Sequence, residues 1–241
     1  MFHNSSHTED IHRNERGRYL ADFVYGANDG IVTTFAVVSG ATGGALASGV
    51  IIILGIANLI GDGISMGLSN FLSIRSRRDF ERMQRAIEEH EVVAFPDKEK
   101  EEVVVILKRW GIPENRIPEC VEEISKDKKR WVDLMMVEEL HIIETKDGSP
   151  ARHGLATSVA FLIAGSLPLI PYIFNISSEY QFAVSIIATG ISLFVVGAGR
   201  TIVTNASWFR SGIEMLLVGG IASGAAFAVG ALIKTIFNIA L

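Results

Sequence analysis

The amino-acid sequence predicts an all-α membrane protein with five transmembrane helices and a three-helix cytosolic insertion between the second and third spans. Two observations support this prediction. Apolar segments long enough to cross a bilayer lie on both sides of a polar central block. Residues 75–152 hold 16 of the 22 Lys and Arg residues and 19 of the 27 Asp and Glu residues of the 241-residue chain. We therefore expect four regions: a polar N-terminal tail at 1–18, transmembrane helices 1 and 2 at 19–74, a cytosolic helical domain at 75–151, and transmembrane helices 3 to 5 at 152–241.

The apolar segments have the length that membrane-spanning helices need. Residues 30–74 carry a single charged side chain, Asp62. This run is long enough for about two crossings, since one crossing takes roughly 20 residues. Three further segments contain no charged residue and lie at 154–178, 180–199 and 215–233. Prolines inside the third span remove backbone donors, so this helix should kink or end early.

The positions of Lys and Arg predict the orientation. Arg13, Arg16 and Arg18 precede the first span, whereas the turns at 43–48 and 175–179 contain neither Lys nor Arg. The positive-inside rule then places the N-terminus and the central block in the cytoplasm and the C-terminus on the far side. We see no signal peptide or organelle-targeting segment, which favours a prokaryotic plasma membrane.

Composition excludes several classes of protein. The single Cys120 rules out a disulfide framework and any multi-cysteine metal site. A net charge of −5 and an isoelectric point near 5.7 predict no basic surface for nucleic acid. The six histidines, half of them in the N-terminal tail, carry no clear functional signal.

The polar block predicts three helices. The second span should continue as a cytosolic stalk to Phe95, because residues 68–95 contain neither Gly nor Pro. Pro96 ends this stalk, and Asp97 is the expected cap of a second helix that runs to Trp110. The third helix is expected at 127–143.

Acidic side chains lie in or beside the first two spans, where an ionised acid is costly and is usually retained for function. Asp22 and Asp29 are seven residues apart, which places them on one helical face. Asp62, Met66 and Asn70 recur at every fourth residue and form a stripe of carboxylate, thioether and amide. This donor set suits ferrous iron better than calcium or magnesium. Asp62, which two glycines flank, could instead cap a helix break or bond a neighbouring helix.

The insertion contains paired glutamates. Glu88 and Glu91 lie three residues apart on the stalk, and Glu99 and Glu102 have the same spacing on the next helix, so each pair shares a helical face. A turn at Pro96 can fold the pairs together, and clustered carboxylates repel one another unless cations lie among them. The third helix adds further candidate ligands at Met135, Met136 and Glu139. A metal site is one interpretation, and an ordinary solvated surface is the other.

Two motifs in the spans resemble those of the vacuolar iron transporter family. Residues 29–40, Asp-Gly-Ile-Val-Thr-Thr-Phe-Ala-Val-Val-Ser-Gly, are similar to its first-span signature, and residues 62–67, Asp-Gly-Ile-Ser-Met-Gly, to its second. The resemblance extends over nearly all of the chain from Tyr19 onward and is to the branch that has a cytosolic metal-binding domain. It implies five spans per subunit and a homodimer whose pore lies between the first two helices of both subunits. It also implies exchange of ferrous iron for protons.

The resemblance further implies roles for single residues. Asp29 and Met66 correspond to the transport-site acid and thioether. The residues that correspond to ligands of the cytosolic domain are Glu88, Glu91, Glu99, Glu102, Met135, Met136 and Glu139. Two positions depart from the family pattern, which often has acids where this chain has Arg18 and Asn70. These departures leave ion preference and transport rate open.

Our hypothesis from the sequence is a dimeric antiporter that removes ferrous iron from the cytosol in exchange for protons, with manganese or zinc as further candidate ions. The soluble carboxylates would collect the ion, and Asp22 would receive it at the pore entrance. Asp29 with Met66 would bind it inside the membrane, beside Asp62 and Asn70. We expect no permanently bound cofactor and no enzymatic activity. The expected partners are divalent metal ions, protons, the lipid bilayer and a second copy of the chain.

Two alternatives remain at this point. The first is a membrane-tethered di-iron oxidase, for which Glu138 and His141 supply one Glu-x-x-His motif. Ferritin-like sites use two such motifs, and this chain offers no second copy. The other alternative is a metal sensor that does not transport, in which the spans only anchor and dimerise the soluble helices.

Overall fold

The computed structural model describes residues 7–143, 148–174, 176–202 and 206–237, with the backbone alone at 7–18 and 202. The described residues form helices and no strand, which confirms the all-α prediction. In chain order the α-helices are α1 (His7–Gly43), α2 (Ser48–Ala94), α3 (Pro96–Arg109), α4 (Ile117–Ser125), α5 (Lys128–Glu138), α6 (Pro150–Gly165), α7 (Ile170–Ile173), α8 (Ser178–Gly199) and α9 (Trp208–Phe237).

The chain divides into two compact units. The spanning unit consists of residues 1–72 and 148–241, and the insertion unit consists of residues 73–147. Helix α2 passes from the first unit into the second without a break over its 47 residues. The segment 1–18, expected as a polar tail, begins α1 at His7, and its first six residues lie outside the described part of the chain.

Four stretches of the described chain are long and apolar enough to cross a membrane. They are Ser48–Ala94, Pro150–Ile173, Ser178–Gly199 and Trp208–Phe237. The third span breaks at its prolines as expected, since α6 ends at Gly165 and α7 follows a short 3-10 turn at Leu167–Leu169.

Helix α1, the expected first span, is not among these four stretches. It is the interior helix of the spanning unit, and α6, α8 and α9 pack against it. Its side chains at Ala27, Ile31 and Val38 are fully buried, and so are the polar Thr34 and Ser39. Because helices cover α1, it can carry polar residues that a lipid-facing helix could not, which lowers its hydropathy.

Close helix contacts in the spanning unit depend on glycine. A Cβ atom added at Gly26 of α1 would lie 2.3 Å from the carbonyl oxygen of Thr157 in α6. A Cβ atom at Gly154 of α6 would lie 2.4 Å from the carbonyl oxygen of Gly67 in α2. Only glycine allows backbones to approach this closely. These contacts bring polar side chains of α1, α2 and α6 within hydrogen-bonding distance of one another.

The insertion unit has one more helix than expected. After the stalk part of α2, the chain forms α3, α4 and α5, and α4 was not predicted. Its apolar residues Ile117, Val121 and Ile124 have helical spacing, and Pro118 stands in its first turn, where the missing N–H costs nothing. The hydrophobic core of the unit consists of Val92, Val103, Ile106, Leu107, Ile117, Val121, Trp131, Val132, Met135 and Met136.

Two further boundaries differ from the prediction. Phe95, not Asp97, is the N-terminal cap of α3, because Pro96 already occupies the first helical position. Helix α5 ends at Glu138 and does not reach residue 143. His141 adopts a left-handed backbone conformation with φ 57° just beyond this end. The Asp127 side chain caps the start of α5, where it accepts hydrogen bonds from the backbone N–H groups of Lys129 and Arg130.

Candidate metal sites

Three carboxylates of the insertion unit meet where the stalk, α3 and α5 pack together. One oxygen atom from each of Glu88, Glu99 and Glu139 lies within 4.8 Å of the others. Glu88 and Glu99 are 3% and 1% exposed, whereas Glu139 is exposed to solvent. The turn at Pro96 brings Glu99 back toward Glu88, as the sequence spacing suggested. We call these three residues the carboxylate triad.

The triad holds protons near neutral pH. Burial, together with the negative charges of Glu99 and Glu91, raises the pKa of Glu88 from 4.5 to about 7. Loss of surrounding water and the charges of Glu102 and Glu88 raise the pKa of Glu139 to about 7 as well. The pKa of Glu99 is also raised, first by burial and then by Glu102 and Glu91. A cation that entered the triad would displace these protons.

Two oxygen atoms of the triad are buried without a hydrogen-bond partner among the described residues. They are Oε2 of Glu88 and Oε2 of Glu99. A buried polar atom without a partner destabilises a folded protein, and a buried charge does so more strongly. A divalent cation would satisfy both atoms. Carboxylate oxygens bind hard and borderline ions such as Mg²⁺, Mn²⁺ and Fe²⁺, so the donor set fits the expected ions without selecting one.

Glu91 and Glu102 lie at the edge of the triad. Their charges reach Glu88 and Glu99. Glu102 also accepts from the Lys98 ammonium group at 3.0 Å, a partner that competes with a metal ion for the same carboxylate. A cleft of about 290 Å³ lies beside the triad, and Glu102, Glu139 and Arg109 are among the residues that line it.

Met135 and Met136 are 0% and 1% exposed and lie in the hydrophobic core of the insertion unit. Core packing with neighbours such as Val103 and Trp131 is enough to account for both side chains. Their role as metal ligands stays a prediction.

The Glu-x-x-His motif at Glu138 and His141 does not form a helical face. Helix α5 ends at Glu138, and its carboxylate instead accepts from Arg109 at 3.3 Å and from the Trp110 indole at 3.2 Å. His141 bonds through Nδ1 to the carbonyl oxygen of Glu139. The geometry on which the di-iron alternative depended is therefore missing here.

In the spanning unit, Asp22 belongs to a hydrogen-bonded network of α1, α2 and α6. Its Oδ1 accepts from the Asn70 amide at 2.8 Å, and its Oδ2 bonds to Nδ1 of His153 at 2.5 Å. The Asn70 amide also donates to the Thr157 hydroxyl oxygen at 2.8 Å, and this hydroxyl donates to the His153 carbonyl oxygen at 3.0 Å. We call these four residues the Asp22 network.

Two more predicted pore residues lie near each other. Asp29 on α1 and Asp62 on α2 are close enough for their charges to interact, and both side chains are half-buried. Met66 is half-buried too and packs against the apolar cluster that includes Phe35 and Phe161. The structure thus joins Asp29 with Asp62 and Asn70 with Asp22, whereas Met66 contacts apolar neighbours.

Sequence reasoning missed His153. It is 5% exposed and lies in the first turn of α6, beside the start of an uncharged segment. The available signal was a titratable side chain at the edge of a predicted span, where such residues usually have a partner or a function. Its partner Asp22 is 131 residues away in the sequence, so spacing could not reveal the pair.

Comparison with known proteins identifies relatives over most of the chain. This chain is 30% identical over 219 residues to Vacuolar iron transporter 1 of Eucalyptus grandis. The matched region covers 91% of this chain and 88% of that protein. It is 32% identical over 237 residues to the Vacuolar iron transporter of Toxoplasma gondii, with coverage of 95% and 78%. The Vacuolar iron transporter of Plasmodium berghei is 32% identical over 243 residues, with coverage of 97% and 89%.

These relatives come from plants and apicomplexan parasites, and they give no support to the prokaryotic plasma membrane expected from the sequence. The model of the VIT family matches residues 20–231. This match confirms the resemblance that the two span motifs indicated. With nearly all of its length matched, the chain belongs to the VIT family.

Proposed function

We propose that this protein transports ferrous iron across a membrane and that Asp29 carries the ion inside the spanning unit. The observation that carries the proposal is that Asp29 of α1 and Asp62 of α2 are half-buried and close enough for their charges to interact. Two acids in such a place repel unless a cation or proton lies between them. The names of the relatives point to iron as this cation.

The proposed path begins at the insertion unit. The carboxylate triad collects the ion, the Asp22 network receives it, and Asp29 with Met66 binds it within the membrane. Helix α1 acts as the fifth span in this proposal, since its buried apolar side chains run as far as Ala41. The Lys and Arg distribution favours a cytosolic triad and movement of iron out of the cytosol.

Proton exchange follows from the chemistry of a carboxylate. A protonated acid is a poorer metal ligand than a carboxylate, so protonation of Asp29 from the far side would release the ion. Manganese and zinc share enough ligand preference with ferrous iron to use the same path.

We propose a homodimer that pairs α1 and α2 of two copies. Helix α2 presents an exposed apolar stripe at Ile53, Ile60, Ile64 and Leu68, which suits lipid or a second copy of the same helix. The family resemblance favours the second copy.

Uptake of ferrous iron into proteoliposomes under a pH gradient tests the proposed function. We expect Asp29→Ala and Met66→Ala to reduce the initial rate by at least about tenfold, because each removes a ligand of the transported ion. The matched controls are Glu179→Ala and Met83→Ala, which remove an exposed acid and an exposed thioether that have no assigned ligand role. Wild-type rates in both path variants would refute this site.

A metal sensor without transport remains a second candidate, because the triad lies in a compact unit of its own. Replacement of Glu88 and Glu99 by Gln distinguishes a transporter from a sensor. A transporter keeps slow iron flux after this change, since the spanning unit still holds Asp29, whereas a sensor shows no flux with or without it.

A further inference from the structure

His153 has an unusual environment for a histidine at the start of a membrane helix. Its side chain is 7% exposed, and its ring lies 4.7 Å from the Tyr19 ring, measured between centroids. Packing of this kind fixes the plane of the imidazole. The ring therefore holds its two nitrogen atoms in fixed directions, with Nδ1 toward Asp22 of α1.

The bond to Asp22 determines which nitrogen carries the proton. An ionised carboxylate has no hydrogen to give, so it can only accept. Nδ1 of His153 must then be the donor to Oδ2 of Asp22. In the neutral imidazole the other nitrogen, Nε2, has an unshared electron pair. Asn70 donates to the second oxygen of Asp22 and holds the carboxylate in this position.

Nε2 of His153 is buried and has no hydrogen-bond partner among the described residues. An added Cβ atom at Gly148 would lie 3.8 Å from Nε2 and 2.1 Å from the Tyr19 hydroxyl oxygen, so a side chain at this position would crowd the ring. A histidine that donates from one nitrogen to a carboxylate and keeps the other nitrogen without a partner has the arrangement that metal-binding histidines use.

We propose that His153 is a nitrogen ligand for the transported divalent transition metal and that Asp22 orients it. The proposal rests on the proposed function only in taking the transported ion as the ligand. The carboxylate triad contains oxygen donors alone, and such donors accept Mg²⁺ and Ca²⁺ as well as Mn²⁺ and Fe²⁺. Imidazole favours transition metals. His153 would thus add a donor that disfavours Mg²⁺ and Ca²⁺, besides the Met66 thioether.

Pulsed electron paramagnetic resonance of bound Mn²⁺ tests this directly, because a coordinated imidazole nitrogen modulates the Mn²⁺ signal. The sample is the full-length protein in detergent with Mn²⁺ alone, in a background where His3, His7 and His12 are replaced by Gln. We expect nitrogen modulation in this background. Carboxylate-bound Mn²⁺ at the triad gives none and does not interfere.

Two substitutions of His153 keep the test independent of folding. His153→Asn places an amide N–H where Nδ1 was, so the bond to Asp22 survives while Nε2 is lost. His153→Gln places an amide near the position of Nε2, and an amide nitrogen does not coordinate. We expect both to abolish the modulation, and the exposed-histidine controls His90→Gln and His141→Gln to retain it.

Asp22→Asn provides a second readout. If Asp22 orients His153, this change should weaken Mn²⁺ binding at the nitrogen site by about 10–100-fold, the usual effect of losing a carboxylate behind a metal-binding histidine. Retained modulation with unchanged affinity would show that Asp22 does not act through His153.

The proposal is overturned if the background protein shows no nitrogen modulation or if the modulation survives both His153 variants. Neither of these two outcomes depends on a measurement of ion transport. A parent protein that binds Mn²⁺ through nitrogen but does not transport would refute the proposed function and leave His153 as a ligand. Normal transport without nitrogen modulation would refute His153 as a ligand and leave the proposed function intact.

Discussion

The carboxylate triad and the Asp22 network differ in what faces their acidic oxygens. In the triad, Glu88 and Glu99 face other carboxylates and each keeps a buried oxygen without a partner among the described residues. In the network, both oxygens of Asp22 already have N–H donors from Asn70 and His153. The triad is therefore strained by like charges until protons or a cation neutralise it, whereas the protein itself satisfies both oxygens of Asp22.

This difference suggests a division of labour. A cluster that gains stability by binding a cation suits capture from solution. A carboxylate that already has two donors binds a passing ion weakly through its remaining lone pairs, and its main effect is to hold His153 in place.

The largest effect is expected from removing charge from the triad. The double variant Glu88→Gln, Glu99→Gln should lower the affinity of the insertion unit for Mn²⁺ by about 100-fold, because two of its anionic ligands become neutral amides. Isothermal titration calorimetry on the full-length protein in detergent measures this. Glu122→Gln, Glu123→Gln is the matched control, since both of its glutamates are exposed on α4. Equal losses in both double variants would mean that binding depends on general surface charge.

The next effect is the pH dependence of metal binding at the triad. The pKa values of Glu88 and Glu139 lie at about 7, so both acids hold protons at pH 6 and are mostly ionised at pH 8. A metal ion must displace these protons at the lower pH. We expect Mn²⁺ affinity to rise about tenfold or more between pH 6 and pH 8. An affinity that stays constant over this range would contradict the raised pKa values.

The sequence predicted the triad better than the network because of where their residues lie. Glu88, Glu91, Glu99 and Glu102 come from two consecutive helices joined at Pro96, so helical spacing and one turn are enough to bring them together. The network joins residues 48 to 131 positions apart, and no periodic pattern links them. Its geometry depends on glycine contacts between α1, α2 and α6, which become visible only once the helices are packed.

The same difference between local patterns and long-range contacts explains which features of the helices could be predicted from the sequence. The sequence identified the long apolar segments and the stop at Pro96, because length and proline act locally. It missed α4, whose three apolar residues make a weak signal in a short polar stretch. The place of α1 among the spans stays a prediction, and the burial of Thr34 and Ser39 shows that other helices surround this part of it. Tertiary packing decides both the formation of α4 and the surroundings of α1.

A smaller effect concerns the stability of the protein without metal. The pKa of Glu88 is raised on folding, so the folded state binds this proton more tightly than the unfolded state does. Its contribution to stability is present below about pH 4.5 and is lost as the pH rises through about 7. In the presence of a chelator, Glu88→Gln should therefore be more stable than the parent at pH 8, by about 1–2 kcal/mol after allowance for solvent screening.

Thermal unfolding at pH 5 and pH 8 measures the difference in stability between Glu88→Gln and the parent protein. This difference should be larger at pH 8. Glu89→Gln is the control, because it removes an exposed charge one residue away on the same stalk. Addition of Mn²⁺ should stabilise the parent and not Glu88→Gln. A parent that is as stable as Glu88→Gln at pH 8 would show that the triad is not strained.

The smallest effect is expected in the Asp22 network, where every donor is already paired. Thr157 is 0% exposed, accepts from Asn70 and donates to the His153 carbonyl oxygen. Thr157→Val keeps the shape of the side chain and removes both bonds, which should cost about 1 kcal/mol of stability. Thr157→Ser keeps the hydroxyl and serves as the control. We expect Thr157→Val to be less stable than Thr157→Ser, because only the hydroxyl makes the two bonds to Asn70 and His153. Equal stability of the two variants would show that these bonds do not hold the network together, and the contrast between a strained triad and a satisfied network would fail.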